Sequence, residues 1–302
     1  MHSSTHYRAR AVAISCALSA ALAACTSSGG RPTSAVPAAR SSSAASPSAS
    51  ASVLTPTAVT TAPTPSGTPT PASVSAAPTP SSVRTTPTPS SRYPLHTNIV
   101  ATTFWVGEIF DPQAADGSQV ISTYDDHWLA NYGGCDGVQS SSGCQTERRT
   151  AANGYFPTTM TPRQNPFYLD LPFDDVNDAQ AAASRASVVP WAHEPAYVGL
   201  LASPDRSLMK NRWVAIKLGG SVCYGQIEDA GPGDYNDAAY VFGSNDARPA
   251  NQRYGGAGMD VSPALNGCLG FTELNGDTDK VSWWFVDSAA VPPGPWTKII
   301  TS

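Results

Sequence analysis

No acidic residue and no tryptophan occurs before residue 95, whereas all 23 Asp and Glu and all seven Trp lie beyond it. A chain divided in this way can build a core only from residues 95–302, which suffice for one sizeable domain. Residues 26–94 hold 13 Pro among Ser, Thr and Ala, with Arg31, Arg40, Arg84 and Arg92 as their only charges. So little apolar bulk does not offset the entropy of ordering a backbone, and the stretch is expected to be disordered or partly polyproline II. At about 3.1 Å per residue it would reach on the order of 200 Å extended, and roughly 50 Å as a coil. Residues 95–302 carry a formal charge of −11, from 12 Lys and Arg against the 23 acids. That charge, without a basic stripe, argues against nucleic acid and anionic polymers and suits a neutral glycan or a cationic partner.

The N-terminus reads as an export signal. Arg8 and Arg10 precede the small, apolar run from Ala11 to Ala21, which is too short to span a bilayer. Leu22-Ala23-Ala24-Cys25 follows and matches the bacterial lipobox, in which the cysteine thiol takes a diacylglycerol; the alternative is an ordinary secretory signal. At roughly 0.8 kcal/mol per buried methylene, two or three acyl chains hold a protein on a membrane almost permanently. The expected organisation is a signal over 1–25, a tether over 26–94 and a folded domain over 95–302. The expected location is the cell surface or periplasm, lipid-anchored through Cys25.

Within 95–302 helical periodicity is weak and turn residues recur about every eight to twelve positions, which predicts a mainly β domain. Expected strands are Ile99–Val106, a hairpin of Trp213–Lys217 and Ser221–Ile227 across Leu218-Gly219-Gly220, and Val281–Val286. Val214 and Ile216 alternate with Ala215 and Lys217, so one face of the hairpin points inward. Ser262-Pro263 reads as N-cap and first turn of a short helix ending near Gly267. Residues 108–165 and 174–206 read as insertions. The most informative stretch is Cys223-Tyr-Gly-Gln-Ile-Glu-Asp-Ala-Gly-Pro232, followed by Ala257-Gly-Met-Asp-Val-Ser-Pro-Ala-Leu265. Asp229 and Asp260 each end an expected strand, where a carboxylate meets solvent and ligand at a sheet rim.

Five motifs in this order resemble the double-psi β-barrel of rare lipoprotein A, the expansins and the family 45 endoglucanases. The first strand resembles the rare lipoprotein A strand Ala-Ser-x-Tyr-Gly. Arg149-Thr-Ala-Ala-Asn-Gly-Tyr155, Leu171-Pro-Phe173, Asp229-Ala-Gly-Pro232 and Asp260-Val-Ser262 resemble its Arg-x-Thr-Ala-Asn-Gly-Glu, Leu-Pro-Phe-Gly, Asp-Arg-Gly-Pro and Asp-Leu-Ser. The resemblance implies a six-stranded double-psi barrel acting on cell-wall glycan. The chain departs from the family at three places. Tyr155 replaces the Glu, Tyr168 the His, and Ala230 the Arg. Four cysteines remain in the domain and allow three pairings. We expect Cys135–Cys144, closing a Gly/Ser-rich loop, and Cys223–Cys268, tying a barrel strand to the helix after Asp260, in keeping with an exported protein. His96, His127 and His193 form no ligand pattern, so no metal or cofactor is expected.

Cleaving a glycosidic bond needs an acid at the leaving oxygen. The resemblance places that acid at Asp260, with Asp229 orienting it or only holding the following turn. Asp170, Asp174 and Asp175 are expected to form a solvated acidic turn, and Asp125-Asp126-His127 to lie on the surface. Trp105, Tyr155, Tyr168, Tyr224, Tyr235 and Tyr240 include possible sugar-stacking faces, and of these Trp105, Tyr155, Tyr168 and Tyr224 are the candidates for substrate binding. The expected function is binding, and remodelling by lytic-transglycosylase-like cleavage, of peptidoglycan strands; the alternative is a non-catalytic, expansin-like or glycan-binding module. A structural envelope domain is a third.

Overall fold

The computed structural model describes residues 87–90, 92–114 and 117–302. The export signal, Cys25 and most of the tether lie outside the described residues. In chain order the elements are β1 (His96–Thr103), α1 (Trp128–Tyr132), β2 (Val138–Ser140), β3 (Gly143–Gln145), β4 (Tyr168–Leu171) and α2 (Ala179–Val188). They continue with β5 (Trp213–Leu218), β6 (Ser221–Ala230), α3 (Ala238–Val241), β7 (Met259–Val261), α4 (Pro263–Leu269) and β8 (Lys280–Val286). Six strands close into a barrel in the order β1-β7-β4-β6-β5-β8. β1/β7 and β4/β6 run parallel and the other four pairs antiparallel. This mixed, closed arrangement is compatible with a double-psi barrel, and closure leaves no unpaired edge.

Alternate residues fill the barrel. Ile99 and Ala101, Leu169 and Leu171, Val214 and Ile216, Met259 and Val261, and Val281, Trp283 and Phe285 share one core. The outer faces are roofed as well. Trp213, Ala215, Tyr224 and Trp284 lie under Val291 and Trp296 of the C-terminal segment, and Tyr168 lies under Phe104, Val106, Trp128 and Tyr132. β4 is therefore buried on both faces. A strand so placed loses the alternation of a half-exposed one, which is why Tyr-Leu-Asp-Leu was not legible as a strand.

The chain between β1 and β4 carries α1 and the β2–β3 hairpin, and the chain between β4 and β5 carries α2. Both expected disulfides are present, Cys135–Cys144 on that hairpin and Cys223–Cys268 from β6 to α4. Ser262 caps α4 by accepting from the Leu265 N–H, Pro263 opens it, and Gly270 in a left-handed conformation ends it. Several strand limits differ from expectation: β1 begins at His96, and β5 and β8 each gain one residue, at Leu218 and Lys280. β1 ends at Thr103 because the chain then turns away over the barrel's outer face. β6 runs on to Ala230, and β7 places Asp260 at its centre. The ordered body also takes in the end of the expected tether. Tyr93 is buried edge-on against Trp191 and Phe285, and its hydroxyl donates to Asp287.

Candidate functional site

Four polar residues form a row across four neighbouring strands. Thr102 stands opposite Asp260 in the β1/β7 pair, Asp260 opposite Asp170 in the β7/β4 pair, and Asp170 opposite Asp229 in the β4/β6 pair. Directly opposed residues share a sheet face, with Cβ atoms about 4.5–5.5 Å apart. Met259, Val261, Leu169 and Leu171 point into the core, so the row faces outward. Asp229 joins it because of a β-bulge. Between Leu169 and Asp170 the partner strand advances from Ile227 to Asp229, leaving Glu228 extra. Without that residue Asp229 would share the inward face of Ile227; bulges re-aim side chains in this way.

Each carboxylate has its own supports. Asp170 Oδ1 accepts from the Asp260 N–H at 2.8 Å. A Cβ on Gly231 would lie 2.7 Å from Asp170 Oδ2, so the glycine of Asp-x-Gly-Pro leaves room for that carboxyl. Asp229 Oδ1 accepts from the Thr123 and Ala230 N–H groups at 2.7 and 2.8 Å. The Thr102 hydroxyl donates to Asp260 Oδ1.

Burial and crowding raise the proton affinity of these groups. Burial pushes Asp260 up to about 7, and the charge of Asp229 adds to it. Burial raises Asp229 to about 6 against the pull of its two backbone donors. Asp170 lies well above the ordinary range through burial and then the charges of Asp260 and Asp229. Burial raises nearby Glu108 to about 8, with the Asp260 charge contributing. Asp170 and Asp229 are buried, whereas Asp260 is half-buried. Asp260 is thus the member of the trio that a substrate reaches most readily. A carboxyl that titrates near neutrality can give up a proton to a leaving oxygen.

The expectation of a solvated turn at Asp170, Asp174 and Asp175 is overturned, since these are 3%, 6% and 0% exposed. Asp174 accepts from the Val176 and Asn177 N–H groups, and Asp175 from the Leu208 N–H and the Ser207 hydroxyl. Backbone and hydroxyl donors replace the water these carboxylates give up. Asp126 and His127 are exposed, at the start of α1.

Three of the four aromatic candidates are roofed rather than open. Tyr168 is fully buried; its hydroxyl donates to Asp136 Oδ2 at 2.7 Å and accepts from the Val106 N–H at 3.0 Å. Tyr224 is 2% exposed, with the Trp296 ring 5.0 Å away. Trp105 is 5% exposed, and its indole N–H donates to the Cys144 carbonyl. None of the three presents a ring face to a sugar, because the β1–β4 connection and the C-terminal segment cover the barrel's outer wall. Tyr155 is half-buried, with a φ of 65° and its ring edge-on to Phe167. Tyr240 is buried, its hydroxyl bonded to the Gly258 carbonyl and to the Trp283 indole. Arg149, in the Arg-Thr-Ala-Ala-Asn-Gly segment, is buried and paired with Asp136 at 2.8 Å, a structural role for that motif.

A cleft of ≈ 850 Å³ opens beside Asp229 and Ala230. Ser122, Thr123, Asn177, Lys210 and Asn211 line it, and Phe110, Ile121 and Tyr235 supply exposed apolar surface. A smaller hollow of ≈ 170 Å³ adjoins Trp105 and Glu108. Asp260 lines neither. Phe110 and Ile121 were missed because single hydrophobic residues in a connection carry no periodic signal, whereas Tyr235 was among the aromatic candidates. Among the described residues no three His, Cys, Asp or Glu are placed to hold a metal ion, and no helix is long and apolar enough to cross a membrane. No protein family, curated protein or solved structure matches the chain. The double-psi likeness therefore rests on barrel architecture and motif order.

Proposed function

We propose that the domain handles glycan strands of the bacterial cell wall, and that it remodels peptidoglycan with Asp260 as the proton donor. One observation carries this reading. Asp260 is the half-buried member of a buried carboxylate trio, held by Thr102 and titrating near neutrality. Protonated Asp260 would give its proton to the glycosidic oxygen as the bond from that oxygen to C1 breaks. The resulting carboxylate would take the proton of the sugar's own C6 hydroxyl as that oxygen bonds to C1, closing a 1,6-anhydro ring without water. In this reading Cys25 carries the lipid and residues 26–94 form the tether that lets the barrel reach the wall from a membrane.

A second reading is a non-catalytic, expansin-like or glycan-binding module. It is favoured by the sealed Tyr168 and packed Tyr155, which stand where rare lipoprotein A has His and Glu, and by the cleft ending short of Asp260. Mass spectrometry of sacculi incubated with the full chain, beside an Asp260→Asn variant, separates the two. Soluble 1,6-anhydro muropeptides from the wild type alone support cleavage at Asp260. Co-sedimentation without release supports the binding module, and the absence of both release and co-sedimentation would remove peptidoglycan from the reading.

A further inference from the structure

We propose that the ≈ 850 Å³ cleft beside Asp229 is a binding site for a glycan that carries free, protonated amines. The inference rests on the glycan reading above but not on cleavage at Asp260, which does not line this cleft. A hollow of this size with a few convergent polar groups is the usual form of a small-ligand site. Its walls come from distant parts of the chain, and hydrogen bonds between them set its shape. Asp229 Oδ1 accepts from the Thr123 N–H at 2.7 Å, and the Tyr124 hydroxyl donates to the Phe173 carbonyl at 3.1 Å. Lys210 Nζ donates to the Tyr124 carbonyl at 3.2 Å, and the Asp174 N–H to the Tyr235 carbonyl at 2.8 Å. Walls tied together in this way need little ordering when a ligand enters.

The wall that bears Phe110 and Gln119 leaves the barrel through the turn Trp105–Glu108. The Glu108 N–H donates to the Trp105 carbonyl at 2.9 Å. The Gly107 and Gln119 N–H groups donate to the Gln119 and Glu108 carbonyls at 2.9 and 2.8 Å. A Cβ on Gly107 would lie 3.1 Å from Cys144 Sγ, so the Cys135–Cys144 disulfide backs this turn.

The lining selects for charge. Five carboxylates, Asp126, Asp174, Asp178, Asp205 and Asp229, face two cations, Arg206 and Lys210. Asp174, Asp178 and Asp229 accept from backbone N–H groups. Asp126 and Asp205 are exposed, and neither is in a salt bridge among the described residues. Gln119 Oε1 and Asn211 Oδ1, on side chains of the same lining, have no hydrogen-bond partner among the described residues. The cleft is thus rich in acceptors and in negative charge. An ammonium group answers both, with one positive charge, three donors and no acceptor, whereas an anionic ligand is repelled. The aromatic lining then favours a sugar as the carrier of that amine. Phe110 and Tyr235 are 53% and 40% exposed, and a ring face covers the apolar C–H face of a pyranose. A pyranose also presents its amine on a rigid ring, while a lysine side chain loses rotamer freedom on binding.

The test is calorimetric titration of the full-length chain with three probes: a β-1,4-linked glucosamine tetramer, its N-acetylated counterpart and tetralysine. At about pH 6 the wild type is expected to bind the glucosamine tetramer at least about tenfold more tightly than either other probe. That preference should weaken with salt and vanish at pH 9, where the sugar amines are neutral. Asp126→Asn/Asp205→Asn, a change of two exposed side chains, should weaken the glucosamine tetramer by about tenfold or more, the size of one hydrogen bond to a charged group. The same variant should leave the N-acetylated tetramer unchanged, and Phe110→Ala should weaken both sugars. Equal affinity for the two tetramers, equal affinity for tetralysine, or indifference to the double Asn variant overturns this inference and leaves the glycan reading standing. So does failure to bind either tetramer by a wild type that co-sediments with sacculi. Neither tetramer binding nor co-sedimentation overturns the glycan reading, and the inference with it.

Discussion

Glu228, the extra residue of the β6 bulge, shows what a buried carboxyl costs when it turns Asp229 outward. Its side chain is 2% exposed, its Oε1 has no hydrogen-bond partner, and burial raises it to about 8, with Lys210 drawing it down. A carboxyl raised in the folded state binds its proton more tightly there than in the unfolded chain. Its stability contribution is full below the unfolded value, near 4.3, and is lost as pH rises through about 8. Glu108, Asp229 and Asp260 are raised too and add in the same direction. Buried His96, lowered to about 4, opposes them below its unfolded value near 6.5, so the melting temperature is expected to fall between about pH 7 and pH 9. Glu228→Gln should melt several degrees above wild type at pH 9 and within about 1–2 °C of it at pH 5, a gap set by roughly 2–4 °C per kcal/mol for a domain this size. Thermal scans at the two pH values check it, and parallel pH dependence in both proteins would show that Glu228 ionises freely.

At the scale of elements, the two disulfides close loops of different length, with sequence separations of 9 and 45. Loop-closure entropy predicts losses of about 3 and about 4 kcal/mol on removing Cys135–Cys144 and Cys223–Cys268 as Ala pairs. Urea titrations of the two double variants measure both, and the larger shift is expected for Cys223→Ala/Cys268→Ala. The local consequences should differ as well. Cys223–Cys268 ties α4 to β6 and with it the segment that follows Asp260. Cys135–Cys144 stands behind Gly107, so its removal should loosen the turn bearing Glu108 more than the barrel.

For the whole molecule, the barrel is closed but its end is sealed by residues from far along the chain. Tyr93 packs on Trp191 and Phe285, while Arg212 donates to both Tyr93 and Asp287 and stacks over Trp191 at 4.4 Å. A chain beginning at residue 95 should therefore be less stable than one beginning at residue 87, by roughly 3–5 kcal/mol, the range for deleting a buried aromatic side chain. Chemical denaturation of the two chains measures this. Equal midpoints would place the whole of residues 87–94 outside the folded domain's energetics.

Composition alone decided where a core could form. Acids and tryptophans lie only beyond residue 94, and the large side chains a core needs lie with them. Local chemistry decided the hairpin across Gly219-Gly220, the Ser262-Pro263 helix start and the inward stripe of Val214 and Ile216, because turns, caps and alternation act between near neighbours. Tertiary structure decided the site. The row Thr102–Asp260–Asp170–Asp229 exists only because barrel closure sets four distant strands in register, and because one bulge turns Asp229 outward. The burial of Tyr168, Tyr224 and Trp105 likewise depends on which connection crosses which face. Side-chain type foretold a carboxylate site, but proton affinity is set by burial and neighbouring charge, and those come into being only when the chain is folded.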